Sequence, residues 1–121
     1  MVRPPLQLEG QQLLDLLRVY LDHCRHLRIP ARVEGFAEHS GRTTRHLYRV
    51  FQRVLGRSVH DVFHELQVER AMDLIEKSDL TPQEIAIQCG CGSVWTLARA
   101  FKKVRGESLT KYLDQVRQGL R

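Results

Sequence analysis

Cysteine residues and long apolar runs are both scarce in this sequence. The three cysteines, Cys24, Cys89 and Cys91, are an odd number, and their spacing fits no disulfide framework. No stretch approaches the ~20 apolar residues that a membrane helix requires. The opening segment MVRPPLQLEG lacks the apolar core of a secretory signal. We therefore expect a reduced, cytoplasmic protein without a membrane partner.

Signals for β-strands and for catalysis are equally sparse. The sequence has no alternating apolar run and, lacking asparagine altogether, no Asn-Gly hairpin turn. It also has no phosphate-binding glycine loop and no nucleophile elbow. Cys89 and Cys91 lack a nearby His or Cys that would complete a tetrahedral site, and HELQV at 64–68 only approaches the zinc motif H-E-x-x-H. We expect no enzyme activity, no cofactor and no metal.

Helical periodicity, by contrast, runs along most of the chain and predicts an all-α fold of seven helices. The first helix carries apolar residues at i, i+3, i+4 and i+7 spacing, namely Leu13, Leu16, Leu17, Tyr20, Leu21 and Cys24. Pro30 closes this region because it disfavours helical geometry at the preceding residue. We assign residues 1–10 to an N-terminal linker or tail and residues 11–121 to one domain.

Capping residues and glycines predict where the later helices begin and end. Hydroxyl residues stand at five N-cap positions, namely Thr43, Ser58, Thr81, Ser93 and Ser108. The strongest start signal is TPQE at 81–84, which combines the cap with proline at the first helical position and glutamate at the third. Gly56 and Gly106 are placed to end two helices. The pattern between these signals predicts a long helix over residues 59–77.

Two segments of the chain repeat each other. LYRVFQRVLGRS at 47–58 returns as LARAFKKVRGES at 97–108, and both fit L-x-R-x-F-x-[RK]-V-x-G-x-S. Ala37 and Gly41 match Ala86 and Gly90 one residue out of that register, so the second copy holds one extra residue in its turn or at the start of the next helix. Each copy reads as a short helix, a glycine-bearing turn and a longer helix. This is the pattern of a helix-turn-helix unit.

Basic residues are concentrated on the longer helix of each repeat. The chain has a formal net charge of +5. The segments 42–56 and 93–106 each contain four arginines or lysines and no acidic residue, whereas the acids gather between them at Asp61, Glu65, Glu69, Asp73 and Glu76. A basic helix repeated at matched positions indicates an acidic partner, and in a helix-turn-helix unit that partner is double-stranded DNA.

Three segments carry a resemblance to a known family. They are FAEHSGRTTRHLYRVFQRVLGRS, QVERAMDLI and EIAIQCG followed by TLARAFKKVRGESLTKYL. They resemble the AraC/XylS-type DNA-binding domain, and Thr96-Leu97 resembles its MarA/SoxS/Rob subgroup. The resemblance implies a bilobed, all-helical domain with helix-turn-helix units at about 33–54 and 82–105, joined by a connecting helix at 59–77. It also implies regulation of bacterial transcription, usually by activation.

The chain departs from the family pattern at three positions. Cys91 stands where the family has an aromatic residue, Gln67 where an arginine is common, and Leu109 where proline is usual. We expect these residues to affect the packing and DNA affinity of the second unit rather than the fold.

Outward-facing residues of the two recognition helices are the candidates for reading bases, because the apolar stripe must face the core. They are Arg45, Tyr48, Arg49, Gln52, Val94, Trp95 and Arg99. Arg49 and Arg99 occupy matched positions of the repeat, and arginine can donate to both guanine acceptors. Alternatively, these arginines hold phosphates or pair with acids of the connecting helix, and Trp95 packs between the units.

Residues at the helix N-termini and the remaining cations are the candidates for phosphate contacts. They are Thr43, Thr44, Arg53, Ser93, Lys102 and Lys103.

These observations together predict a DNA-binding transcriptional regulator, most simply an activator that recruits RNA polymerase. It would bind as a monomer unless an effector domain outside these residues dimerises it. The chain is either a stand-alone regulator or the DNA-binding part of a longer protein. The alternative is a helical protein-interaction module whose basic helices dock on an acidic partner.

Overall fold

The computed structural model describes residues 6–119, and the side chains of residues 8–119. Every regular element in this part of the chain is a helix, which confirms the predicted fold class. The helices are α1 Leu6–Leu27, α2 Val33–Ser40, α3 Thr44–Val50, α4 Val59–Lys77, α5 Pro82–Gln88, α6 Val94–Arg105 and α7 Leu109–Arg117. Within the described range no helix is long and apolar enough to cross a lipid bilayer.

Helix α1 begins at Leu6, so residues 6–10 are helical and do not form part of the expected tail. Gly10 is buried, and a Cβ atom placed on it would lie 2.6 Å from Cγ1 of Val54. This contact seats the start of α1 directly against the first helix-turn-helix unit. The other predicted tail residues, 1–5, lie outside the described residues.

The first recognition helix differs from a regular α-helix in its last turn. Helix α3 continues without a break into a π-helical turn, Phe51–Leu55, and ends at Gly56 in the left-handed conformation. A π-helical turn holds one residue more than an α-helical turn. The sequence gives no sign of it, because the apolar spacing of Val50, Phe51 and Val54 suits either geometry.

The predicted N-caps form as expected. The side-chain oxygens of five residues each accept a hydrogen bond from the backbone N–H three residues later, at distances of 3.1–3.2 Å, namely Thr43, Ser58, Thr81, Ser93 and Ser108. Each bond satisfies one of the N–H groups that a helix start leaves unpaired. The bounds of α4 consequently coincide with the predicted connecting helix.

Helix α4 is shared by two separate hydrophobic cores. Val59, Val62 and Phe63 pack with α1, α2 and the first recognition helix. Val68, Ala71 and Ile75 pack with α5, α6 and α7. Because α4 contributes side chains to both cores, it holds the two helix-turn-helix units in a fixed relative position.

The two turns are built alike, so the sequence repeat is also a structural repeat. The Arg42 N–H donates to the Ala37 carbonyl at 3.0 Å, and the Cys91 N–H donates to the Ala86 carbonyl at 2.9 Å. Both bonds close the end of the first helix of a unit around a left-handed glycine. Between that glycine and the next helix the second turn holds Cys91, Gly92 and Ser93, where the first holds only Arg42 and Thr43.

Direct contacts tie the two units together at the second turn. The carbonyl of Gly90 accepts hydrogen bonds from the Ala31 N–H at 2.8 Å and from Nε2 of Gln67 at 3.3 Å. Gln67, which stands where the family often has arginine, is therefore part of the junction. Nearby, Arg28 donates to both oxygens of Glu84 at 2.6 and 2.9 Å, and this arginine lowers the pKa of Glu84 to about 2.

Replacement of Gly90 by alanine should destabilise the protein more than replacement of Gly41. Both glycines have φ near +70°, which costs roughly 1–2 kcal/mol for an L-residue with a side chain. A Cβ on Gly90 would also lie 3.1 Å from Cβ of Ala31, whereas nothing lies within 4 Å of one on Gly41. We expect Gly90→Ala to lower the free energy of unfolding by about 2–4 kcal/mol and Gly41→Ala by about 1–2 kcal/mol. Urea unfolding measures both, and equal losses would show that the contact with Ala31 contributes nothing.

Candidate nucleic-acid interface

The two recognition helices, α3 with its π-helical turn and α6, present their apolar stripes to the cores as predicted. Leu47, Val50 and Phe51 are fully buried in the first, and Leu97 and Phe101 in the second. This burial fixes the rotation of each helix about its axis. The opposite faces are consequently free to meet a partner.

The first recognition helix exposes its basic and polar candidates. Arg45, Tyr48, Arg49, Gln52 and Arg53 all lie at the surface. Thr44 is half-buried, and Thr43 is exposed while its hydroxyl oxygen caps the helix. Sequence reasoning therefore assigned these side chains to the correct face, and their base and phosphate contacts remain predictions.

Two of these side chains are held in place by histidines. The Tyr48 hydroxyl lies 3.1 Å from Nε2 of His60 on α4, and Nη2 of Arg49 lies 3.0 Å from Nδ1 of His46. His46 in turn lies 2.8 Å from a carboxylate oxygen of Glu9 on α1. These contacts reduce the number of rotamers that Tyr48 and Arg49 sample before they meet a ligand, which lowers the entropy cost of binding.

The second recognition helix exposes an aromatic residue beneath an arginine. Trp95 is 68% exposed, and the guanidinium carbon of Arg99 lies 4.7 Å from the centre of its ring. This is the distance of a cation–π contact. Trp95 therefore does not pack between the two units, and that alternative is wrong. Val94 is also exposed, so Val94, Trp95 and Arg99 form one outward surface at the start of α6.

The two lysines of α6 already have partners within the protein. Lys103 Nζ lies 3.0 Å from Asp61 on α4, and this hydrogen bond lowers the pKa of the Asp61 carboxyl. Lys102 Nζ donates to the Gly106 carbonyl at 3.3 Å. Both lysine side chains remain exposed. A phosphate at either position would therefore replace or share an existing contact.

The cap residue of α6 is joined to a neighbouring hydroxyl. Ser93 Oγ accepts the Thr96 N–H at 3.2 Å and donates to Thr96 Oγ1 at 3.0 Å. Its own proton is thus used within the protein, so the predicted phosphate contact of Ser93 would have to compete with Thr96. Thr96 itself was absent from the candidates, although it lies on the exposed face of α6.

Sequence reasoning also missed the place of two histidines. His60 and His64 are one helical turn apart on α4, and only His64 was singled out from the sequence, as the first residue of the near-miss zinc motif HELQV. In the structure His60 contacts Tyr48, and His64 lies beside α6, where it lines a depression with Arg99 and Lys103. Their i, i+4 spacing places both histidines on one face of α4. Only the packing of α4 shows that this face lies between the two recognition helices.

The cysteines form no reactive site. Cys89 and Cys91 are buried and unpaired, and burial raises the pKa of each thiol to about 12. A thiol with so high a pKa supplies almost no thiolate at neutral pH. Nowhere in residues 8–119 do three His, Cys, Asp or Glu side chains come together as metal ligands.

The chain matches the sequence profile of a helix-turn-helix domain family over residues 36–115. It belongs to this family of AraC-type helix-turn-helix DNA-binding domains, which occur in regulators of transcription. The match begins at residue 36, inside α2, and includes the rest of the first helix-turn-helix unit, the connecting helix and the whole second unit.

Two relatives are regulators of operons. The chain is 29% identical over 111 residues to the MmsAB operon regulatory protein of Pseudomonas aeruginosa, covering 92% of this chain and 36% of that protein. It is 29% identical over 84 residues to the xylose operon regulatory protein of Haemophilus influenzae, covering 69% of this chain and 21% of that protein. The chain thus spans about a third and about a fifth of these relatives.

Solved structures share the fold. The DNA-binding domain of AdpA, a global transcriptional factor crystallised in complex with a target DNA, superposes with a TM-score of 0.72 at 25% identity, covering 88% of this chain and 94% of that one. The C-terminal domain of AraT, a response regulator from Geobacillus stearothermophilus, gives a TM-score of 0.70 at 22% identity, covering 93% and 86%. The bilobed arrangement is therefore that of known AraC-type domains.

Proposed function

We propose that the chain binds double-stranded DNA at a specific sequence, with α3 and α6 in successive major grooves. The observation that carries the proposal is the exposure of matched arginines, Arg49 and Arg99, on two outward faces held by one connecting helix. Major-groove insertion of the second helix is the way in which helix-turn-helix units read DNA. The DNA complex of the similar AdpA domain supports the same partner here.

The two recognition helices carry different side chains, so they would read different bases. Arg49 and Arg99 each offer two donors in the geometry that guanine O6 and N7 accept. Gln52 can pair with adenine, which matters in a chain without asparagine, while Val94 and Trp95 can contact a thymine methyl group. Arg53, Lys102 and the other cations would then hold phosphates and set the register.

The proposal extends to a promoter as the target and to activation through RNA polymerase. Support comes from the two relatives, both of which are named for the operons that they regulate. A single chain carries two unlike units, so it can occupy an asymmetric site as a monomer. A reporter gene placed behind the selected site distinguishes activation from repression.

The test is selection of binding sites from random duplex DNA, followed by arginine variants on the selected site. We expect Arg49→Ala to weaken binding by about 1–3 kcal/mol and to relax the preference at one base pair only. Arg99→Ala should do the same at a different base pair. Arg18→Ala, which removes an exposed arginine of α1, is the matched control and should leave the preference unchanged.

Two other outcomes have distinct meanings. Uniform weakening on all sequences would show that the two arginines hold phosphates and do not read bases. Failure to enrich any duplex, with binding to acidic proteins retained, would support the protein-interaction module and overturn the DNA-binding proposal.

A further inference from the structure

We propose that the junction of α4 and α6 carries a separate binding site for a DNA backbone phosphate, built on His64 and Thr96. This site rests on the DNA binding proposed above and adds a contact in the middle of the interface. Neither residue was assigned to base reading, although Thr96 lies on the exposed face of α6 and lines the same depression as Arg99. The ligand is one phosphodiester between the two subsites, recognised without regard to base sequence.

The site lies between the recognition helices. Tyr48 on the first recognition helix contacts His60, which is one turn from His64 on α4. His64 then lines a depression of about 300 Å³ together with residues of α6, namely Thr96, Arg99, Ala100 and Lys103. Tyr48, His60 and His64 therefore form a continuous row of side chains from the first recognition helix, across α4, to α6.

A second depression of about 300 Å³ adjoins the first, because His64 and Thr96 line both. The second one is formed where the units meet, by residues that include Arg32, Glu34 and Gly90. The surface between the units is therefore concave on both sides of His64. A rounded, anionic group such as a phosphodiester fits such a concavity better than a flat base edge does.

The electrostatics of the first depression suit an anion. Its lining contains Arg99 and Lys103 and no carboxylate. Burial lowers the pKa of His64, and the positive charge of Lys103 lowers it further, which reports a positive field at the ring. Asp61, the acid that acts on the His64 ring, is paired with Lys103 at 3.0 Å. Glu34 lines the second depression and not the first.

Two hydrogen-bond donors are available there. Nδ1 of His64 is buried and has no partner within residues 8–119. A buried N–H without an acceptor is costly, so we assign the proton of the neutral ring to Nε2. The Thr96 hydroxyl accepts a bond from Ser93 at 3.0 Å, which leaves its own proton free to donate. His64 and Thr96 border the same two depressions, so a phosphate seated there would accept from both groups.

The course of DNA over the protein brings a phosphate to this point. When two helices lie in successive major grooves on one face of a duplex, the minor groove between them passes over the segment that joins the helices. Its bordering phosphates then face α4. His64 is the residue of α4 that lies both in the concavity and beside the second recognition helix.

Neutralising single phosphates tests the site on the unaltered protein. Each phosphate between the two subsites of the selected duplex is replaced in turn by an uncharged methylphosphonate, and affinity is measured by fluorescence anisotropy. We expect one or two adjacent positions to weaken binding about tenfold, the effect of losing one charge-assisted contact. A flat profile, with affinity for the intact duplex retained, would overturn the site while leaving the proposed function standing.

Protein variants identify the residues. His64→Leu and Thr96→Val should each weaken binding to the intact duplex by up to about tenfold, and should make the sensitive methylphosphonate harmless. His64→Gln, which restores a donor, should recover most of the loss. His26→Leu on α1 and Thr110→Val on α7 remove the same groups from exposed positions elsewhere and should have no effect.

Stability measurements exclude a trivial loss of fold. His64→Leu removes a buried nitrogen without a partner, so its thermal midpoint should equal or exceed that of the original chain. A further readout is the ¹⁵N resonance of His64 Nε2, which should shift with the intact duplex and not with the methylphosphonate duplex. If the variants lose affinity equally on both duplexes, His64 and Thr96 act on the fold and the proposal is wrong.

Discussion

Raising the salt concentration from about 50 to about 200 mM should weaken DNA binding by about a thousandfold. Each phosphate neutralised by a protein cation releases condensed counterions, so about six contacts give a log–log slope of roughly −5. Arginines 45, 49, 53 and 99 and Lys102 are exposed for such contacts, and the proposed phosphate site adds donors between them. Anisotropy titrations at four or five salt concentrations measure the slope, and thermal unfolding over the same range shows that the fold is unaffected.

One variant separates the phosphate contacts from the general charge of the protein. Lys103 is held by Asp61 in the free chain, so part of its charge is neutralised before DNA arrives. Asp61→Asn releases this lysine, and we expect tighter binding together with a slope steeper by up to about 0.9. Glu69→Gln, an exposed acid further along α4, makes the same change in net charge and is the control. A slope near zero in the original chain would contradict DNA binding altogether.

Local signals explain why most of the fold could be predicted. Helix caps, glycine stops and apolar spacing are each determined by residues three or four apart. Ser58 was therefore predicted correctly as the N-cap of α4, and its Oγ accepts the hydrogen bond of the Asp61 N–H. The repeat added long-range information, because two similar segments require two similar environments. The N–H groups of Arg42 and Cys91 make equivalent hydrogen bonds in the two turns, so the repeat in sequence corresponds to a repeat in structure down to single hydrogen bonds.

Contacts distant in sequence explain what could not be predicted. The first turns of α1 pack against the first unit through Gly10 and Val54, and no capping residue within residues 1–10 predicts a helix there. The ion pair of Lys103 with Asp61 joins residues on different helices, so charge counting alone assigned this lysine to DNA. The position of His64 depends on how α4 crosses α6. In each case the deciding partner lies more than thirty residues away in the sequence.

Insertion of 5 bp between the two subsites should weaken binding by about a hundredfold or more. Helix α4 has 19 residues, or roughly 28 Å at 1.5 Å per residue. One turn of B-DNA is about 34 Å, so we expect the duplex to bend towards the protein, at a cost of a few kcal/mol, when both recognition helices enter successive major grooves. Half a turn of added DNA moves one subsite to the opposite face. The contacts of one unit are then lost, at about 1–3 kcal/mol for each base reader.

The rigid junction between the two units is the reason to expect a large loss of affinity after the 5 bp insertion. Gly90 accepts bonds from Ala31 and Gln67, and both cores share α4, so the units cannot rotate to follow the displaced subsite. A 10 bp insertion restores the face but doubles the spacing, and it should weaken binding as strongly. On the 5 bp duplex Arg99→Ala should cause no further loss if the second unit has been displaced. Unchanged binding after either insertion would mean that only one unit engages DNA.

The second unit would then be the one in doubt, because it has Cys91 in place of the family's aromatic residue. Against that outcome stands the turn itself, in which Cys91 is buried and its N–H bonds to the Ala86 carbonyl as Arg42 bonds to Ala37 in the first unit.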